Sequence, residues 1–162
     1  GHDAEEEAAD LAEIEGSLTG DGGDSVVSDL ARPHIETRLT DEGLVIEIFS
    51  RPGQPIFDPE TGRPQPWLAE LAVSMADLFG TVTNRVAVEA HIAAEPLVRA
   101  TESGWQRSTE RAQMIRALLE DGGLNAQRIA RVTGHSDREP TVQPPISPRN
   151  DRIEIILLRV RY

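Results

Sequence analysis

Residues 104–112, GWQRSTERA, hold the arrangement best suited to chemistry. Ser108 sits where it can cap a helix, Glu110 falls in the first turn and Arg111 follows one residue later. Unpaired backbone N–H groups at a helix start attract an anion, and an arginine there adds a planar fork that fits a carboxylate. An exposed charge at a helix start contributes only ~0.3–1 kcal/mol, and a charge-assisted hydrogen bond adds ~1.5–3 kcal/mol. Together they suit a carboxylate ligand held with moderate affinity. The alternative is that Arg111 pairs with Glu110, Asp137 or another surface acid, and spacing alone favours that outcome.

The stretch VEAHIAAEP, residues 88–96, reads as an apolar strand running into a polar turn, where binding groups commonly lie. Ile92, Ala93 and Ala94 at its centre can hold neither a metal nor a substrate, which leaves His91 and Glu95. A catalytic reading would have to use these two with Ser108, His135, Ser136 and Asp137. Sequence neighbours such as HSD cannot form a nucleophile–base–orienter chain, because their side chains diverge. A metal site from His91, His135 and Asp137 lacks helical or cysteine-type spacing. No catalysis, metal or cofactor is therefore expected. Trp67, Trp105 and Phe79 are expected to pack rather than to stack nucleic-acid bases.

The chain has 162 residues, enough for one domain with a real core. Cysteine is absent, which excludes disulfides, thiolate metal sites and a cysteine nucleophile. No apolar run approaches the ~18 residues of a membrane span, and no signal peptide is visible. Gly1-His2 reads as the remnant of tag cleavage, so a piece of a longer protein is expected. Net charge is −12, and residues 1–31 supply ten acids with no basic residue. All 16 basic residues are arginine. Such a chain lacks the basic footprint that a phosphate backbone requires, so nucleic acid is not an expected partner.

The elements that must position these residues follow from periodicity. Residues 3–18 carry Ala8, Leu11, Ile14 and Leu18 at helical spacing, but the stripe is thin and the helix would be marginal alone. It could pair with its own copy. Residues 19–31 read as a flexible connector. The folded domain is expected over 35–162, after an acidic leader over 1–34. IETRLTDEGLVIEIFS predicts two extended runs about a turn. Residues 51–66, rich in proline, exclude helix and central strand, and only Ile56 and Phe57 can anchor them. Residues 67–80 predict a helix buried along Leu68, Leu71, Met75 and Leu78. RVAVEAH predicts a strand, and 108–121 a helix buried along Ala112, Ile115, Leu118 and Leu119. RIARVTG and RIEIILLRVRY predict two more strands, the last central. The expected class is α+β: a mixed sheet with two main helices on one face.

From Leu44 to Tyr162 the chain resembles the OmpA-like peptidoglycan-binding domain, in the form carried by flagellar stator proteins of the MotB type. That family has Gly-His-Thr-Asp ending a strand, then Asn-Trp-x-Leu-Ser-x-x-Arg-Ala, then Gly-x-Gly, and Asn-Arg-Arg before the last strand. Here EAHIAAEP, GWQRSTERA, GHSDREP and NDRIEI stand in that order. His91, Pro96, Trp105, Ser108, Arg111, Ala112, Gly134, Pro140, Asn150, Arg152 and Glu154 match by order and spacing. The loop GQPIFDPETGRPQP resembles the Pro-Met-Phe segment of MotB-type domains.

The resemblance implies binding of the diaminopimelate of the peptidoglycan stem peptide, the motif Asp taking its ammonium and the arginine its carboxylate. Arg111 is present, but Ala93 stands at the Asp position and Ile92 at its Thr neighbour. Three outcomes stay open: Glu95 replaces the missing acid, the site shifts towards Arg107 and Trp105, or wall binding is lost. The site expected from the resemblance is Arg111, Ser108, Trp105 and His91, with Glu95 in compensation, while Asn150 and Arg152 support the fold. The resemblance further implies a non-catalytic periplasmic domain that anchors a stator to peptidoglycan. It implies a single-pass inner-membrane parent, a homodimer and a MotA-type partner. The rival is a dimerising, force-transmitting module with no ligand of its own.

Overall fold

The computed structural model describes residues 3–20, 25–95 and 103–160; Gly1-His2 and Pro96 lie outside them. The chain forms α1 (Ala4–Thr19), β1 (Ile35–Leu39), β2 (Gly43–Phe49), α2 (Pro66–Phe79), β3 (Val86–His91), α3 (Gly104–Asp121), β4 (Ile129–Gly134) and β5 (Arg152–Leu158). The strands make one sheet in the order β1-β2-β5-β3-β4. Among the described residues only β3 and β4 pair in parallel, joined by the crossover helix α3; the other pairs are antiparallel. β5 is central, as its apolar run predicts. The mixed sheet is the expected one.

Alternation assigns the two faces. Leu44, Ile46 and Ile48 of β2, Ile153, Ile155 and Leu157 of β5, and Val86, Val88 and Ala90 of β3 join the main core. Against them lie Leu68, Leu71, Ala72, Met75, Ala76 and Phe79 of α2, and Ala112, Ile115 and Leu119 of α3. Pro66 opens α2 at a position where its missing N–H is harmless, and the Gly80 N–H closes it on Ala76 O at 3.1 Å. Gly134 lets β4 approach α3: a Cβ there would lie 2.4 Å from the Thr109 backbone nitrogen.

The leader helix departs from expectation. α1 is not left to find a copy of itself, because Leu11, Ile14 and Leu18 are buried in the same core as the sheet. Asp3 caps it by accepting from Glu6 N at 2.9 Å, and three acids sit favourably in its first turn. Glu7 is buried and accepts from Asn84 Nδ2 at 3.0 Å and from Val160 N at 2.9 Å. Part of the predicted connector is also structural, since Val27 and Ala31 are buried in that core. The stripe is thin because it needs only to complete an existing core.

The face of the sheet away from the helices is mixed: Val45, Ala87 and Ile156 form a small buried apolar cluster, and beside it runs a polar row. Glu36, Glu47, Glu154 and Glu89 are register partners across β1, β2, β5 and β3, forming one row of carboxylates. Like charges directly opposite repel, and arginines offset them. Arg38 reaches Glu47 at 2.8 Å and Glu154 at 3.2 Å, Arg131 reaches Glu89 at 2.9 Å, and Arg149 joins Glu36 and Glu47.

Candidate functional site

α3 begins one turn earlier than expected, and that changes the site. Ser103, not Ser108, is the N-cap, accepting from Gln106 N at 3.0 Å. Ser108 is fully buried inside the helix, where its Oγ donates to Trp105 O at 3.2 Å and accepts from Ser136 N at 2.9 Å. It ties α3 to the loop after β4. Arg111 therefore lies two turns into α3, beyond the reach of the helix-start N–H groups. Its binding capacity must come from its own fork and its neighbours.

Those neighbours are specific. The proline-rich loop is pinned by Ile56 and Phe57, both buried, and the Phe57 ring lies 4.7 Å from the Arg111 guanidinium carbon. Asp151, just before β5, places Oδ1 3.6 Å from Arg111 Nη1: close enough to attract, too long for a hydrogen bond. Arg111 makes no hydrogen bond to any described residue. Burial pushes its pKa below the ordinary arginine value; Asp151 and Glu95 oppose that shift and Arg107 adds to it. The same Oδ1 accepts a hydrogen bond from the loop, the Ala93 N–H donating to it at 2.6 Å.

Two adjoining cavities of about 560 Å³ and 460 Å³ open here, both bordered by Glu95, Arg107 and Asp151. Ala93 and Ala94 line the first, and Phe57 and Arg111 the second. Glu95 pairs with Arg107 at the edge of both cavities. The cleft thus gathers three guanidinium groups, of Arg51, Arg107 and Arg111, and five carboxylates, of Asp58, Glu60, Glu95, Glu110 and Asp151, on one concave surface, which suits a ligand bearing both charges.

Of the residues expected at the site, Arg111 and Glu95 line the cleft. Trp105 is half-exposed on the first turn of α3, with the Arg138 guanidinium 5.8 Å from its ring. His91 is buried at the end of β3, stacked on His135 with ring centroids 4.5 Å apart, and borders neither cavity. Asn150 is buried and clamps the loop before β5, accepting from Thr141 N and Val142 N and donating to Val142 O, Pro144 O and Pro145 O. Arg152 donates to Glu139 O at 2.8 Å and Asn150 O at 3.2 Å. Sequence reasoning missed Asp151. The signal was there: in NDRIEI an aspartate stands where the resembled motif has its first arginine.

One group among the described residues could hold a metal ion: His91, His135 and Glu139, whose ligand atoms lie within 4.8 Å of one another. Asp137, the third residue considered from sequence, is not in it. No described helix is long and apolar enough to cross a membrane.

No family model matches the chain. Motility protein B of Escherichia coli K12 is 28% identical over 135 residues, covering 78% of this chain and 42% of that protein. The chain thus spans less than half the length of that relative. Among solved structures, a MotB-like protein from Desulfovibrio vulgaris superposes with a TM-score of 0.72 at 16% identity over 96% of both chains. The periplasmic domain of Helicobacter pylori MotB gives 0.63 at 16% identity, covering 78% of this chain and 83% of that one. The cell wall anchor of the T6SS from Pseudomonas aeruginosa gives 0.64 at 23% identity, covering 94% and 97%. The fold is the OmpA-like fold, and the resemblance to MotB-type domains read from the sequence is borne out.

Proposed function

We propose that this chain is a non-catalytic periplasmic domain that anchors a flagellar stator to peptidoglycan. It takes an amino-acid zwitterion of the stem peptide, of the diaminopimelate type, in the cleft beside α3. The observation that carries this reading is the Arg111 guanidinium: largely buried, without a hydrogen bond among the described residues, and facing a cavity across from Asp151. Its donors face the cavity rather than protein acceptors, so a ligand carboxylate can replace the water there with two charge-assisted hydrogen bonds. The ligand carboxylate lies in the Arg111 fork, with Arg107 adding positive field. The ammonium lies against Asp151, which stands in for the acid absent at Ala93. The names of the similar proteins, a motility protein and a cell wall anchor, support the same role. In the parent protein the domain works as a homodimer joined to an inner-membrane stator with a MotA-type partner.

Calorimetric titration of a diaminopimelate-containing muropeptide tests this. Saturable binding that Arg111→Ala removes supports the reading. Silence of the native chain at millimolar ligand rejects it in favour of a force-transmitting assembly module, a reading that the absent motif acid at Ala93 favours.

A further inference from the structure

The face of the sheet away from the helices carries a second cluster unrelated to the cleft. The parallel register that pairs Ala90 with Gly134 brings the next residues, His91 and His135, side by side. Their rings stack at 4.5 Å with planes only 6° apart. His91 is 3% exposed, yet neither of its ring nitrogens has a hydrogen-bond partner.

The nitrogens are sorted by direction. Both Nδ1 atoms face the same oxygen, Glu139 Oε2, at 3.7 Å from His91 and 3.5 Å from His135. Both Nε2 atoms face carboxylates of the glutamate row: Glu154 at 3.7 Å and Glu89 at 2.6 Å. A contact of 3.5–3.7 Å is too long for a hydrogen bond. It is close to the ligand-to-ligand edge, roughly 3.4 Å, of a tetrahedron built on metal bonds of about 2.0–2.1 Å. Histidines that bind a metal through one nitrogen commonly give the other to a carboxylate, which fixes the ring and raises its basicity. Glu89 and Glu154 stand in that outer position.

We propose that His91 Nδ1, His135 Nδ1 and Glu139 form a binding site for a borderline divalent cation of the zinc type, with water in the fourth position. Two imidazoles and one carboxylate favour zinc, nickel or copper over calcium and magnesium, which seek oxygen ligands. Binding tilts His135, the more exposed ring, so that the two nitrogens converge. The ion then staples the loop after β4 to the end of β3. The proposal does not depend on the peptidoglycan reading.

The test is zinc titration of chelator-stripped protein, read by calorimetry and by thermal unfolding. One zinc per chain is expected, with a Tm rise of about 5–10 °C once free zinc is a hundredfold above Kd. His135→Ala and Glu139→Ala should each weaken binding at least tenfold. Glu139 is mostly exposed, so its variant keeps the fold and isolates the ligand role. Cobalt should give the visible bands of a tetrahedral complex in the native chain and not in the two variants. Unchanged zinc affinity in both variants would place the ion elsewhere, for instance on His2, and would overturn the proposal. So would the absence of heat and of a Tm shift, or equal affinity for magnesium.

Discussion

The Ala93 backbone N–H donates to Asp151 Oδ1 at 2.6 Å, so the loop position without an acid still has a carboxylate against it, supplied from the start of β5. If that carboxylate holds the ligand ammonium, Asp151→Ala weakens muropeptide binding about tenfold or more, the value of a charge-assisted hydrogen bond. Ala93→Asp in the Asp151→Ala background returns the acid to the loop and recovers part of the affinity. Ala93→Asp alone sets two carboxylates together and does not. Calorimetry on the three variants checks the order.

Arg111→Ala removes the fork and lowers affinity by at least one to two decades, about 1.5–3 kcal/mol. Arg111→Lys keeps the charge but loses the two-pronged geometry, and recovers little. Equal affinity of the lysine variant and the native chain would show that only charge matters here.

Leu11→Ala tests the docking of α1. Leu11 is fully buried in the main core, so truncation costs about 2–5 kcal/mol. Thermal unfolding reads this as roughly 2–4 °C per kcal/mol for a chain of this size. A loss under about 0.5 kcal/mol, normal for an exposed residue, would mean that α1 is not part of the core in solution.

Acid should expose the glutamate row. His91, with Arg152 and Arg38, holds the Glu154 carboxyl down to about 2 from an ordinary 4.5. A carboxylate depressed in the fold contributes stability that is fully present above pH 4.5 and is lost as pH falls towards 2. Denaturant titrations across that window should show a shallower pH dependence for Glu154→Gln than for the native chain.

Gly134→Ala probes the α3–β4 approach. The new methyl would meet Thr109 N at 2.4 Å and Ser108 Oγ at 2.6 Å, so about 1–3 kcal/mol of stability should be lost. Urea unfolding measures it.

Most of the architecture was legible because period and punctuation agree. β2 and β5 are nearly all apolar, and Pro66 and Gly80 bracket α2. The start of α3 was misplaced because two serines compete as caps, and Ser103 wins while Ser108 turns inward to Ser136. Only tertiary contact decides between them. α1 was underrated for a related reason: a stripe of Leu11, Ile14 and Leu18 is weak alone and sufficient against a core already built. In the site, Arg111 was found by its motif context. Asp151 was hidden because its role depends on a loop 58 residues away in sequence. The placement of His91 beside His135 required the strand register, which no spacing within one strand reveals.

The row of Glu36, Glu47, Glu154 and Glu89 also limits how two copies can meet. Glu47 is already dry, and burying that face in a sandwich of sheets would strip the remaining water from Glu36, Glu154, Glu89 and their arginines, a dehydration that the attraction between ions seldom compensates. Self-association through this side is therefore disfavoured in its own right. The helical side and the rim strands β1 and β4 carry no such penalty, and the exposed acids and arginines of the carboxylate row stay responsive to ionic strength.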